Sequence, residues 1–247
     1  MRTRLAMLMI LALALPAFAA GKRRAVAAPS TPPQTGGGDC VNFAPVRTGL
    51  KASYSAPGGV TFTITYLSDS ATQTRTTQHV VTPQATADAE TRLDWEQIPN
   101  ASITYRAMKH LYTKVTTPVP FLGNQVIETD IDFVPSYITG PATGYCVGTK
   151  WHTPTSNETI MVKSIAGTQV QTGTAIAFDG EVLAVETITV PGGQFKTVKV
   201  KGATVTDSGV QRSIQWLSPD YSISIKQETY DDAGNLTGTT VLTKLEL

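Results

Sequence analysis

The chain has 247 residues, 41% hydrophobic, 16% charged and 7% aromatic, which supplies a core and excludes both wholesale disorder and a collagen-like fibre. Twenty Lys and Arg balance nineteen Asp and Glu, a formal charge of +1. So even a balance leaves no electrostatic footprint for a polyanion, and nucleic acid is not an expected partner.

Arg2 and Arg4 precede an apolar run from Leu5 to Leu15, Pro16 breaks it, and Ala17-Phe18-Ala19 places small residues where a signal peptidase needs them. Residues 1–19 therefore read as a signal peptide cleaved before Ala20, and the chain as exported, periplasmic or secreted. The run is well short of the roughly 20 residues that span a bilayer, and no later run reaches that length, so no transmembrane segment is expected in the mature chain.

Residues 20–45 are rich in Pro, Gly and small side chains, including Gly36-Gly37-Gly38, and read as a disordered spacer. Cys40 and Cys146 are the only cysteines. They are too far apart for a C-x-x-C motif, and Gly37-Gly38-Asp39 is not the apolar context of a lipid-modified cysteine. In an oxidising compartment they are expected to form a disulfide that closes a loop of about 100 residues and contributes on the order of 4 kcal/mol.

From Val46 to Leu247 the apolar period is two, and the chain reads as a single β domain. Gly59–Leu67, Ser102–Tyr112 and Val126–Phe133 alternate as strands. Ala85–Trp95, with Ala and Glu and no Gly or Pro, reads as a short helix. Thr174–Phe178 and Glu181–Val190 read as a hairpin across a type I′ turn at Asp179-Gly180. Strands then follow at Gln194–Val205, Arg212–Leu217, Tyr221–Tyr230 and Thr239–Leu247, with turns at Pro191-Gly192-Gly193, Ser218-Pro219-Asp220 and Asp232–Asn235. About ten strands without recurrent helices predict a mainly β fold, a curved antiparallel sheet or incomplete β-barrel, because a long open sheet leaves unprotected edges.

The run Glu186–Val200, which contains Thr189-Val190-Pro191-Gly192-Gly193-Gln194-Phe195, and the turn Trp216-Leu217-Ser218-Pro219 resemble the C-terminal core of uncharacterised exported bacterial β-sheet proteins. Those proteins pair a T-V-P-x-G-x-F hairpin with a W-x-x-P turn, and their architecture resembles that of the periplasmic lipoprotein carriers. The resemblance covers about the last 90 residues. It departs at Gly192-Gly193 and Asp220-Tyr221, implies a partly closed barrel, and brings no catalytic residues with it.

Catalytic and cofactor motifs are missing. His79, His110 and His152 stand singly rather than at zinc-ligand spacing. No G-x-S-x-G elbow and no phosphate-binding glycine loop occurs, so neither catalysis nor a cofactor is expected. Glu128, Asp130 and Asp132 share one face of a strand while Ile127, Ile131 and Phe133 share the other; the acidic row is a candidate surface site, for a cation or as an acid/base pair, against the simpler reading of a solvated face. Lys196, Lys199, Lys201 and Lys226 are expected to pair across strands with Glu186 or Glu228. Trp95, Trp151, Trp216 and Tyr221 are candidate ligand-lining residues. The leading expectation is a non-catalytic protein that binds a lipid or other apolar or amphipathic envelope ligand. The alternative is a structural or interaction module that docks to another envelope protein.

Overall fold

The computed structural model describes residues 39–100, 103–142, 144–206 and 209–247. The expected signal peptide, 1–19, and residues 20–38 of the expected spacer lie outside the described residues. The strands are β1 (Cys40–Val41), β2 (Lys51–Ala56), β3 (Val60–Asp69), β4 (Gln73–Val81), β5 (Thr86–Asn100), β6 (Ile103–Val119), β7 (Gly123–Pro141), β8 (Tyr145–Cys146), β9 (Lys150–Ser164), β10 (Gly167–Val190), β11 (Gly193–Thr206), β12 (Gly209–Ser218), β13 (Ile223–Tyr230) and β14 (Leu236–Glu246).

Twelve of them form one closed antiparallel barrel, a mainly β fold in which each strand pairs with its neighbour in the chain. β7 pairs with β9, and β14 returns to β2 through Leu242 opposite Tyr54. The expected incomplete barrel is thus complete, and closure removes every exposed edge. The short β1 and β8 form a separate pair in which Cys40 lies opposite Cys146, and the two are joined as a disulfide. Residues 39–45, the last part of the expected spacer, are held in place. Val147 N donates to Asp39 O, and Ala44 N donates to Pro219 O.

Two elements differ from the sequence expectation. Thr86–Asn100 is a strand, not a short helix. Within it Ala87 and Ala89 are buried while Asp88 and Glu90 are exposed, a period of two that cross-strand burial enforces over the helical preference of Ala and Glu. Asp179 and Gly180 do not turn the chain; they lie inside the 24-residue β10. Asp179 is paired with Ala203 and His152, and Gly180 with Gly202 and Trp151. Gly180 is needed for space: a Cβ there would sit 2.1 Å from Cε2 of Trp151.

The barrel has two unlike ends. At the end where the chain enters, the Pro191–Gly193 turn bends across to β14, and Gly192 N donates to Leu242 O at 3.1 Å. The segment between β7 and β9 packs there too, with Tyr145 4.6 Å from Phe43 and 6.2 Å from Trp151, centroid to centroid. The other end is a rim of hairpin turns: β2–β3, β4–β5, β6–β7, β9–β10, β11–β12 and β13–β14.

Twelve strands enclose more space than the eight whose side chains just fill a barrel, so large side chains are required. One cluster joins Leu50, Tyr54, Phe62, Val80, Phe195, Ile223, Ile225 and Leu242. Elsewhere an aromatic chain runs Phe133, Tyr137, Phe178, Trp151, Tyr145, each ring 5.9 to 6.3 Å from the next. On the opposite face, adjacent strands carry Asp88, Glu90 and Arg92 beside Thr116, Lys114 and Tyr112. That charged outside is the reverse of the apolar band on a lipid-facing barrel.

Candidate functional site

The candidate ligand-lining aromatics are not brought together. Trp151 is buried in the interior, its indole lying over Gly180 and beside Phe178. Trp216 lies directly across from Lys199 and Lys226 and therefore shares their outward face. Their ammonium groups stand 5.0 and 4.6 Å from its ring, and its Nε1 donates to Glu186 Oε1 at 2.6 Å. Tyr221 packs edge-on against Phe195 at the chain-entry end.

Trp95 is half-buried and belongs to a polar knot. Its Nε1 donates to Thr74 Oγ1 at 2.8 Å, and the Arg106 guanidinium stacks 4.1 Å above its ring. Arg106 also pairs with Asp69 at 3.1 Å, and Thr74 donates to the same carboxylate. Burial, with the Asp69 charge beside it, pushes the Tyr66 hydroxyl up to about 12. Arg106 Nη2 also donates to Thr74 Oγ1 at 3.0 Å, while its buried Nε has no hydrogen-bond partner among the described residues.

Two members of the acidic row, Glu128 and Asp130, have neighbours of the same kind. His110 Nε2 lies 3.3 Å from Asp130 Oδ1, and its Nδ1 lies 3.2 Å from Asp94 Oδ2. Burial of Tyr112, with Glu128 and Asp130 close by and a Glu128 hydrogen bond, pushes that hydroxyl up. Glu128 sits between Lys114 and Lys163 on the flanking strands, and Asp132 is exposed. The three carboxylates therefore form a row on the outer surface, with two different sets of partners, rather than converging on one point. Lys199 pairs with Glu186 across β10–β11 at 3.6 Å, as expected, whereas Lys226 pairs with Glu228 along its own strand, β13, at 2.7 Å rather than across strands.

A concavity of about 280 Å³ opens on the outer face of β3–β6. Thr63, Thr65, Thr77 and Thr116 line it with hydroxyls, and His79, Asp88, Glu90 and Lys114 with charge. His79 Nδ1 is 2.7 Å from Asp88 Oδ1. Its lining suits a hydrophilic ligand, and none of the four candidate aromatics reaches it.

Sequence reasoning missed one group of unusual chemistry. Glu158 is 1% exposed, and neither carboxylate oxygen has a hydrogen-bond partner among the described residues. It stands opposite Phe133 across β7–β9, and burial pushes its carboxyl up to about 7. Alternation counted from Trp151 and Thr153 would have turned residue 158 outward. One extra residue between Thr153 and Ser156, relative to Phe178 and Ile176 on β10, reverses the phase. No sequence signal marks that bulge apart from Pro154, which cannot donate to the ladder.

A comparison with curated proteins finds no match. Among solved structures, the chain is similar to a candidate exported protein with a YmcC-like fold from Bacteroides fragilis NCTC 9343. Identity is 10%, the alignment covers 84% of this chain and 100% of that one, and the TM-score is 0.36. It is also similar to a candidate lipoprotein from Parabacteroides distasonis ATCC 8503, with 13% identity, the same two coverages and a TM-score of 0.37. The family profile described as DUF3108-like matches residues 50–242, from just before β2 into β14 and so nearly the whole barrel; the chain belongs to the DUF3108-like family.

Proposed function

We propose that this chain is an exported, non-catalytic barrel that meets an amphipathic component of the cell envelope with its outside, the interior serving as a structural core. The observation that carries this is aromatic packing in the interior: Trp151 occupies the space over Gly180, within an aromatic chain that runs from Phe133 to Tyr145. Such a core leaves recognition to the outer face and the rim. Asp130 is engaged by His110 and Asp132 is exposed, which favours a surface role over acid/base chemistry. Export rests on the leader-like residues 1–19.

Native mass spectrometry of the chain secreted by an exporting host, followed by organic extraction, tests the reading. The protein alone is expected. A stoichiometric co-purifying lipid would overturn it and return the interior to the role of a carrier cavity. The outer concavity favours a second reading, docking of a hydrophilic segment of another envelope protein. A photo-cross-linker at Thr116 would then yield one discrete adduct in cells, and Thr63→Arg would abolish it.

A further inference from the structure

The exposed large apolar side chains are unevenly placed. Phe121 is 106% exposed, Leu122 71% and Ile165 86%. All three sit on turns at the hairpin rim, Phe121 and Leu122 between β6 and β7, Ile165 between β9 and β10. The β7–β9 register that sets Glu128 opposite Lys163 carries on to bring Ile165 level with Val126, itself exposed. Phe121 and Leu122 lie four to five residues further, so their hairpin projects roughly 13 Å past Ile165 at the strand rise.

The tip is ordered: Leu122 N donates to Val119 O at 3.1 Å, and Gln125 Nε2 donates to Leu122 O at 3.1 Å. Phe121 has φ 66°, in the left-handed region that bulky side chains avoid. Other turns on this rim use glycine there, at Gly58, Gly167 and Gly234. The chain therefore holds a phenylalanine in an unfavourable conformation with its ring fully in water, and no burial of that ring offsets the cost.

We propose that the β6–β7 tip, with Phe121 and Leu122 leading and Ile165 behind, inserts into the interfacial layer of a phospholipid bilayer. The inference rests on the reading that this barrel is exported and works through its outside. Charge decides for a lipid surface over a protein. No charged residue occurs from Val115 to Ile127, nor from Ser164 to Phe178. The first charged row behind the tips, Glu90, Lys114, Glu128 and Lys163 across four adjacent strands, is net neutral, so the tips would enter the bilayer through apolar contact, with that row left at headgroup level. Separate apolar points on two hairpins suit a fluid phase, whereas a protein partner would need a matching pocket for each.

The test is flotation of the secreted chain with vesicles of three parts phosphatidylethanolamine to one part phosphatidylglycerol. Two variants accompany the wild type: F121G with L122S, and I165S. Wild type should float with the vesicles. F121G with L122S should bind at least tenfold more weakly while melting no lower than wild type, because glycine relaxes the backbone at residue 121; I165S should weaken binding by a smaller factor. Equal flotation of wild type and the double variant would overturn the proposal. So would a wild type that stays soluble with vesicles yet self-associates through the tip, while the double variant remains monomeric. Neither result touches the packing of the interior, which the mass measurement judges independently.

Discussion

Glu158 gives the sharpest quantitative test of the barrel interior. The carboxyl is 1% exposed, has no hydrogen-bond partner among the described residues, and is pushed up from the ordinary 4.5 to about 7 because burial penalises its charged form. The folded chain thus holds its proton more tightly than the unfolded chain does. Stability from this group is fully present below about pH 4.5 and is lost as pH rises through 7. A shift of that size corresponds to about 3 kcal/mol at roughly 1.36 kcal/mol per pH unit, small beside a core but a large share of a typical folding free energy. Urea unfolding of wild type and Glu158→Gln, at about pH 5 and about pH 8, isolates the effect. Gln keeps the shape and cannot ionise, so the wild type should lose on the order of 2–3 kcal/mol more than the variant between the two pH values. Equal losses would mean that the carboxylate finds compensation when charged, and the account of its burial would be refuted.

Other consequences follow from the packing. Gly180→Ala should destabilise by about 1–3 kcal/mol through overpacking against Trp151, and by clearly less in a Trp151→Ala background, since the two residues share one space; denaturant midpoints of the double-mutant cycle decide it. Trp151→Ala alone should cost about 3–5 kcal/mol. Replacing Cys40 and Cys146 together with Ser should cost about 2–5 kcal/mol, because 106 residues separate them, and adding a reductant to the wild type should reproduce the loss. Lys226→Met should change stability by less than about 1 kcal/mol at neutral pH, since its pair with Glu228 lies on the outer surface. Thermal melts at low and high salt would expose a larger contribution.

Much of the barrel was legible because its strands obey a period of two over residues whose types suit a pleated surface. Val60, Phe62, Ile64 and Tyr66 against Thr61, Thr63 and Thr65 predict β3 almost to its ends. The errors came where local chemistry and tertiary demand diverge. Asp179-Gly180 has the composition of a turn, yet the glycine exists to admit an indole from β9 and the aspartate to meet His152 at 2.7 Å. Neither partner is near in sequence, so no local rule could distinguish the two uses.

The site was less legible for a related reason. In a barrel, the face a residue occupies depends on every bulge between it and a known inward residue. Trp216 reads as a mouth-lining aromatic, but a shift between Trp216 and Leu217 accompanies its place among the lysines on the outer face. Glu158 was reversed in the opposite sense. The disulfide and the Lys199–Glu186 pair needed no such phase and were read from residue type and compartment alone.

The asymmetry of the two ends limits how this barrel can work. The chain-entry end is crossed by the Gly192–Leu242 hydrogen bond and packed by Phe43 and Tyr145, with the disulfide tying the segments together. An object bound there would have to displace covalently anchored aromatic packing. The outer wall is laced by cross-strand pairs such as His110 with Asp94 and Asp130, which fix side chains into rows. The hairpin rim is held locally, as where Asp232 accepts from Val210 N and Arg212 at the β13–β14 turn, and its β6–β7 and β9–β10 turns are short and uncharged. Rigid strands holding apolar tips away from water-facing charge form a device for touching a surface, with the barrel as the rigid body that sets the tips' spacing.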